Sequence, residues 1–173
     1  RITGLLLVLL YHFFQTVFPG GFFGVDVFFT FSGFLITSLL LEEFGQKGKI
    51  DILGFFRRRF YRIFPPVVLM VLIVMPFTFL VRQDYVAGIG GQIAGVLGFM
   101  TNFYEMLTGG SYESQFIPHL FVHNWSLAVE VHYYILWGLA VWFLSKRAKT
   151  SGQLRGMIFL LSSATFMISF LSM

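Results

Sequence analysis

The feature that most constrains this chain is a succession of long apolar runs, separated by short segments that contain most of its basic residues. A bilayer core requires about 20 predominantly apolar residues in a helix, within a range of about 17–25. Six runs reach that length, and five of them cover residues 2–18, 22–41, 63–81, 125–144 and 156–173. The sequence therefore predicts an all-α polytopic membrane protein in the cell membrane, with the lipid bilayer as its main partner.

Composition excludes the other broad classes. The chain is 57% hydrophobic and 12% charged, whereas soluble domains are about 45–50% apolar and about 25% charged. Disordered chains are poor in apolar residues, so they are excluded as well. The lack of cysteine excludes disulfides, thiolate metal sites and a cysteine nucleophile. The net charge of +4 is concentrated in the short segments, where it reports membrane topology rather than nucleic-acid binding.

A sixth apolar run, residues 85–107, leaves the helix count open. It contains several glycines, which permit close helix packing but also suit a re-entrant segment. Basic loops favour the cytoplasm, so the arginine-rich segment 42–62 is placed there. The basic loop 145–155 then lies outside if 85–107 spans the membrane, and inside if it re-enters. Hydropathy favours six spans and loop charge favours five plus a re-entrant segment; we expect about six.

The ends of the sequence indicate part of a larger membrane domain. Arg1 leads directly into the first apolar run, and Met173 falls inside the last one. We therefore expect residues 1–173 to be the N-terminal part of that domain.

Prolines and an aspartate give local expectations within two of these runs. Pro65 and Pro66 stand at the start of the run 63–81, where proline is tolerated in a helix, and Pro76 predicts a kink within it. Asp26 lies among glycines and phenylalanines near the start of the second run. We expect it to cap a helix or to form a buried pair.

Ionisable side chains inside apolar runs are costly, so each is a functional hypothesis. His12 lies eleven residues after Arg1, roughly 16 Å along a helix and on nearly the same face. A neutral histidine can take a proton from a hydroxyl group, although a neighbouring hydroxyl or carbonyl group could equally satisfy it. Glu130 lies in another apolar run, one helical turn from both Ser126 and Tyr134.

A cluster of arginines precedes the third run. Arg58 and Arg62 are four residues apart and share a helical face, with Arg59 beside them. Arginine binds phosphate groups through forked hydrogen bonds, so the cluster suits a phosphorylated cofactor, and it suits lipid head groups equally well. His119 and His123 have a spacing found in metal sites on helices, but no third ligand is evident, and we predict no metal site.

Four motifs in order make the chain resemble the integral-membrane acyltransferase 3 family over nearly its full length. They are the Arg-x10-His pattern of Arg1 and His12, the glycine- and phenylalanine-rich segment 20–37, the Arg-Arg-x-x-Arg-Ile-x-Pro pattern of residues 58–65, and the Trp-Ser-Leu-Ala-Val-Glu segment 125–130 with Tyr134. Within the family, the chain looks most like peptidoglycan O-acetyltransferases of Gram-positive, streptococcal type.

The resemblance implies a reaction and roles. Such proteins take an acetyl group from acetyl-CoA in the cytoplasm and pass it across the membrane to a sugar hydroxyl outside. In the peptidoglycan branch, an extracytoplasmic domain of the SGNH type, absent here together with the second half of the membrane domain, completes transfer to muramic acid and confers lysozyme resistance. The resemblance makes His12 the general base, Arg1 an acyl-orienting or oxyanion-stabilising group, and Glu130 a partner of an arginine or histidine. It makes Arg58, Arg59 and Arg62 the CoA-phosphate ligands.

The chain departs from the family pattern, and other functions remain open. The family usually has two acids and a glutamine after the Trp-Ser-Leu stretch, whereas Val131 and His132 follow Glu130 here, and Arg57 has no counterpart. Buried ionisable residues also suit a proton-coupled transporter or flippase. A structural membrane protein anchored by its arginines is a third reading, and the acceptor could instead be another surface polysaccharide.

Overall fold

The computed structural model describes residues 6, 10, 13, 14, 23–80, 86–108 and 119–172. Within these ranges the secondary structure is helical and contains no strand. Numbered along this part of the chain, the α-helices are α1 (Gly24–Lys47), α2 (Ile52–Val74), α3 (Ile89–Leu97), α4 (Thr101–Thr108), α5 (Trp125–Ser145) and α6 (Ser151–Leu171). Short 3₁₀ helices cover Met75–Leu80, which extends α2, and Val122–Asn124, which precedes α5.

Four helical segments in the described ranges are long and apolar enough to cross a bilayer: Gly24–Lys47, Ile52–Leu80, Val122–Ser145 and Ser151–Leu171. They correspond to the predicted runs 22–41, 63–81, 125–144 and 156–173. The first predicted run, residues 2–18, falls almost entirely outside the described residues. The expected class, an all-helical multi-pass membrane protein, is confirmed.

Residues divide into two compact units, one formed by Arg1–Ile52 with Leu136–Met173 and the other by Leu53–Ile135. Helix α5 contributes its first half to the second unit and its last half to the first unit. We call them the outer-segment unit and the middle-segment unit, after their positions along the sequence.

The outer-segment unit brings α1 and α6 together at the ends that border the basic loops. A Cβ placed on Gly45, near the end of α1, would lie 3.6 Å from the Ser151 hydroxyl at the start of α6. About two turns earlier in α1, the indole N–H of Trp137 on α5 donates to the Thr37 hydroxyl at 2.9 Å. The loops that follow α1 and precede α6 therefore emerge at the same end of this unit.

The middle-segment unit is built around an apolar core shared by α2, α3 and the segment that leads into α5. Val67 and Val71 of α2, Val96 of α3 and Phe121 are buried together. The β-branched side chains are one helical turn apart on α2, so they form a continuous stripe on one face. This core fixes α3 and residue 121 against α2, and it sets the framework on which the polar side chains of the unit are held.

The structure decides between the two readings left open for residues 85–107. This run forms two short helices, α3 of 9 residues and α4 of 8 residues, which at about 1.5 Å per residue extend only about 12–14 Å each. Phe99 adopts a positive φ of 54° between them, and α3 and α4 pack on one another. Neither helix reaches across a bilayer, so the segment follows the non-spanning alternative.

Two local predictions about α2 are corrected. The helix begins at Ile52, so Pro65 and Pro66 lie in its interior rather than at its start. The arginine-rich stretch, read as a loop, is helical because arginine is a good helix former. At Pro76 the α-helix has already changed to a 3₁₀ helix, Met75–Leu80, because proline removes a backbone donor.

Candidate functional site

The predicted catalytic residues fall into two groups with different outcomes. Arg1 and His12 lie outside the described residues, so their roles stay predictions. Glu130 is well described, in the first half of α5, as are Arg58, Arg59 and Arg62 in α2.

Glu130 belongs to a buried polar group in the middle-segment unit. The whole residue is 3% exposed. The Tyr134 hydroxyl, one turn later on α5, donates a hydrogen bond to Glu130 Oε1. The Arg59 guanidinium lies 5.7 Å from the centroid of the Tyr134 ring and 5.7 Å from that of Phe55. The structure thus brings Arg59, Tyr134 and Glu130 together as a cation, an aromatic hydroxyl and an acid.

The other arginines of the cluster differ from Arg59 in exposure. Arg57, Arg58 and Arg62 are exposed, whereas Arg59 is half-buried against the rings. Arginine stacked on aromatic faces gains a cation–π attraction while keeping its hydrogen-bond donors. The three predicted phosphate-binding residues therefore differ. Arg58 and Arg62 are accessible to a ligand, whereas Arg59 lies over the ring of Tyr134, which donates to Glu130.

A second buried acid lies in the same unit, in a place that the sequence reading did not single out. The Glu105 carboxylate at the end of α4 is 2.8 Å from Nδ1 of His119, across a sequence separation of fourteen residues. The Glu105 side chain is 8% exposed and that of His119 is 16% exposed. The Tyr104 ring lies 5.6 Å from the imidazole, centroid to centroid. Residues 105 and 119 thus form a largely buried carboxylate–imidazole pair.

Gln92 holds the segment that carries His119. Its side chain is buried, its Nε2 donates to the Ala87 carbonyl at 2.8 Å, and its Oε1 accepts from the backbone N–H of Phe121 at 3.3 Å. The backbone N–H of Val122 donates to the His119 carbonyl at 3.1 Å. A buried amide that forms hydrogen bonds with backbone groups of two segments fixes their relative position. The turn that carries the His119 imidazole is therefore held in place.

Several oxygens around this pair are buried without a partner. Within the described ranges they are Thr101 Oγ1, Asn102 Oδ1 and Glu105 Oε1. Thr101 and Glu105 are one turn apart on α4, so they share a face of that helix. A buried acceptor without a donor costs roughly 1–3 kcal/mol, and a fold that retains such groups usually has a use for them.

Sequence reasoning could have found Glu105. It is an acidic residue in the otherwise apolar run 85–107, and the rule that drew attention to Glu130 applies to it equally. Its pairing with His119 could not be read from spacing, because the two residues are fourteen positions apart and no helical period relates them.

The structure also locates Asp26 and the two histidines at 119 and 123. Asp26 neither caps a helix nor forms a buried pair: it is exposed in the first turn of α1, whose N-cap residue, Phe23, has no side-chain cap. An acid in a first turn still interacts favourably with the helix dipole. His119 is held by Glu105, while His123 is exposed in the 3₁₀ turn before α5.

Comparison with known proteins gives the family. The acyltransferase domain matches residues 1–173. The chain is 34% identical over 149 residues to the O-acetyltransferase OatA of Staphylococcus aureus strain NCTC 8325. This match covers 86% of the chain and 25% of OatA. It is 35% identical over 135 residues to a putative O-acetyltransferase of S. aureus strain COL, which covers 78% of this chain and 22% of that protein.

No solved structure matches the chain. The chain spans about a quarter of the length of the curated relatives that it matches. The match over residues 1–173 and the long apolar helices agree with the motifs quoted above. The chain belongs to the acyltransferase 3 family of multi-pass membrane proteins.

Proposed function

We propose that this chain is the N-terminal part of the membrane domain of an O-acetyltransferase that modifies a cell-wall sugar. The observation that carries the proposal is the 34% identity to OatA, a protein named as an O-acetyltransferase, over 86% of the chain. The donor is acetyl-CoA in the cytoplasm, and the acceptor is the C6 hydroxyl of muramic acid in peptidoglycan, whose acetylation makes the wall resist lysozyme.

Charge supports the orientation of the membrane domain. The loops after α1 and before α6 emerge at the same end of the outer-segment unit. Lys146, Arg147 and Lys149 lie in the second loop, and Lys47, Lys49 and the arginines of α2 lie in and around the first. Because cytoplasmic loops carry an excess of these residues, this end faces the cytoplasm. The arginines in the first turns of α2 follow the first of these loops, so they also lie on the cytoplasmic side.

The exposed arginines suit the phosphates of the donor. Arg58 and Arg62 are exposed and occupy one face of α2, where forked hydrogen bonds to phosphate oxygens can form. Arg59 turns toward Tyr134, so its role in donor binding is to set the position of α5 beside the site. In this proposal Arg58 and Arg62 bind CoA phosphates directly.

Transfer itself requires a base and stabilisation of the developing charge. His12 accepts the proton of the attacking hydroxyl as its oxygen bonds to the acetyl carbon; the bond from that carbon to the CoA sulfur then breaks, and CoA leaves as the thiol with the proton that His12 took up. Arg1 stabilises the oxyanion that forms on the carbonyl oxygen. Glu130 holds the Tyr134 hydroxyl, and through Tyr134 it keeps the ring that Arg59 packs against in a fixed orientation.

The test uses the full-length protein in membrane vesicles supplied with radiolabelled acetyl-CoA and muropeptides. Label recovered as a base-labile ester on muramic acid, and lost in His12→Ala, is the expected result. A second acceptor, a non-peptidoglycan surface polysaccharide, is offered in parallel, because label on that acceptor alone would assign a different substrate.

A transporter or flippase gives a different outcome in the same vesicles. It would move an acetylated or unmodified substrate without forming an ester, and acetyl-CoA would not be consumed. A folded wild-type protein that behaved in this way would overturn the proposal, and the arginines would then be interpreted as a topology signal.

A further inference from the structure

We infer that the exposed ring of Tyr61 stacks on the adenine base of the acyl donor, so that the site formed with Arg58 and Arg62 selects a thioester that carries a nucleotide. The inference rests on the proposed function, in which the two arginines bind CoA phosphates, and it adds a second kind of contact at the same site. All the residues that carry it belong to the middle-segment unit.

One face of α2, near the start of the helix, combines an aromatic ring with two cations. Arg58, Tyr61 and Arg62 are at positions i, i+3 and i+4 and are all exposed, so they are neighbours on the helix surface. Tyr61 is 68% exposed. At about 1.5 Å per residue, the three residues lie within about one turn of the helix. The face therefore offers a flat aromatic surface beside two groups that bind phosphate.

Contacts between aromatic rings support Tyr61 from within the unit. Its ring is 5.9 Å from that of Phe60, centroid to centroid, with the two planes at 78°. The Phe60 ring stacks on that of Phe64 at 4.7 Å. Phe64 in turn lies 6.4 Å from Phe99, which is in the turn between α3 and α4. A side chain that is already held in position loses less conformational freedom when a ligand stacks on it, so Tyr61 is prepared to bind a planar group.

Comparison with another exposed ring shows what is particular about Tyr61. Phe166 on α6 is also 68% exposed and stacks on Phe170, but the residues within one turn of it are uncharged, which suits contact with lipid chains. Tyr61 instead has Arg58 one turn before it and Arg62 directly after it. Tyrosine and arginine are also typical of membrane interfaces. A lipid phosphate group, however, would engage the arginines and leave the face of the ring without a planar partner.

The donor in the proposed reaction has both features that this face accepts. CoA carries an adenine base and phosphate groups at one end and the thioester at the other. Bases stack on aromatic side chains because every base has a π-face, and arginine binds phosphate through forked hydrogen bonds. Adenine on Tyr61 and phosphate groups on Arg58 and Arg62 use all three side chains. A thioester on phosphopantetheine alone, such as one attached to a carrier protein, lacks the base and is therefore selected against.

The test uses the full-length protein in membrane vesicles and measures transfer to muropeptide while the acetyl-CoA concentration is varied. Tyr61→Leu is expected to raise the KM for acetyl-CoA roughly tenfold, the scale of losing one stack between a base and an aromatic ring. The kcat and the KM for muropeptide should not change. Tyr61→Phe keeps the ring and should have the wild-type KM, because stacking does not need the hydroxyl group.

Two fragments of CoA separate the base from the rest of the donor. The adenosine bisphosphate fragment should compete with acetyl-CoA in the wild-type protein, and its inhibition constant should rise in Tyr61→Leu by the same factor as the KM. Phosphopantetheine, which lacks the base, should inhibit both proteins equally. A general loss of structure would weaken both fragments, so it does not reproduce this pattern.

The matched control is Phe166→Leu, which removes a ring of equal exposure from α6. We expect its KM for acetyl-CoA and both inhibition constants to equal those of the wild type, because no charged residue lies within one turn of position 166. If Phe166→Leu and Tyr61→Leu raised the KM equally, the effect would come from losing any exposed ring in the membrane, and the inference would be wrong.

The remaining outcomes separate the two proposals. A wild-type protein that transfers no acetyl group from acetyl-CoA overturns the proposed function. A wild-type protein that transfers it, with an unchanged KM in Tyr61→Leu, overturns the inference alone. So does a wild-type protein that the adenosine bisphosphate fragment fails to inhibit. Equal impairment of Tyr61→Phe and Tyr61→Leu would assign the effect to the hydroxyl group, and an equal rise in both inhibition constants would assign Tyr61 to the shape of α2; each result also overturns the inference.

Discussion

The two compact units differ in what they bury. The outer-segment unit buries the hydroxyls of Ser32 and Ser145 as its polar groups in the described ranges, whereas the middle-segment unit buries Gln92, Thr101, Glu105 and Glu130. Small hydroxyls are readily satisfied by a helix's own carbonyl groups, as Ser145 is by Trp142. Gln92 and Glu105 instead take partners from other segments, the backbone N–H of Phe121 and the imidazole of His119. Within the described ranges, the first unit therefore buries polar groups that its own helices satisfy, and the second buries polar groups that join separate segments.

The largest expected effect tests the second half of that comparison. Glu130→Gln keeps the size of the side chain but removes the negative charge that accepts the Tyr134 hydroxyl. We expect a loss of acetyl transfer of about a hundredfold, the scale of removing one charge-assisted contact from a catalytic site. Transfer from radiolabelled acetyl-CoA measures it. Glu42→Gln, an exposed acid of the outer-segment unit bonded to Gln46, is the control and should retain full activity.

A packing test within the middle-segment unit comes next. A Cβ on Gly91 would lie 2.7 Å from the Tyr104 ring, while one on Gly90 would meet nothing within 4 Å. We expect Gly91→Ala to lower the free energy of unfolding by about 1–3 kcal/mol through overpacking. Gly90→Ala should be neutral or stabilising by up to about 1 kcal/mol, since alanine is the better helix former. Thermal unfolding in detergent compares them, and equal midpoints would contradict the close contact of α3 and α4.

The arginine cluster gives a smaller and more specific expectation. Arg58→Ala should raise the KM for acetyl-CoA roughly tenfold through loss of a charge-assisted phosphate contact, with kcat little changed. Arg57→Ala removes the same charge from an equally exposed neighbour and should leave the KM within about twofold, the scale of a screened surface charge. An equal rise in both variants would show a general electrostatic effect rather than a phosphate site.

The smallest effect belongs to the outer-segment unit. Trp137→Phe removes the 2.9 Å hydrogen bond to the Thr37 hydroxyl and should lower the free energy of unfolding by about 1 kcal/mol. If this hydrogen bond serves packing alone, the acetyl-transfer rate per folded molecule stays at the wild-type level. A large loss of activity without a loss of stability would mean that Trp137 itself takes part in the chemistry.

Hydropathy alone was sufficient to predict the class of fold and the approximate positions of the described spans, because bilayer thickness fixes helix length. It could not fix the start of α2, since Pro65 and Pro66 indicate a helix start as readily as an interior interruption. It could not decide residues 85–107, because composition does not reveal that Phe99 adopts a positive φ.

The site was predictable where chemistry is local in sequence and not where it depends on tertiary contacts. Glu130 and Tyr134 are one turn apart, so their hydrogen bond follows from helical spacing. The approach of Arg59 to Tyr134 joins α2 to α5, and no periodic pattern encodes it. The same holds for Glu105 and His119.

The two prolines inside α2 have a mechanical consequence. Neither nitrogen can donate a backbone hydrogen bond, and both rings crowd the preceding turn, so two successive rungs of the helix are missing immediately after Arg62. The helix is therefore easier to bend there, between the part of α2 that bears the arginines and the apolar part that follows. A sideways force on the arginines, such as a bound anion would exert, would bend α2 at the prolines rather than displace the whole helix.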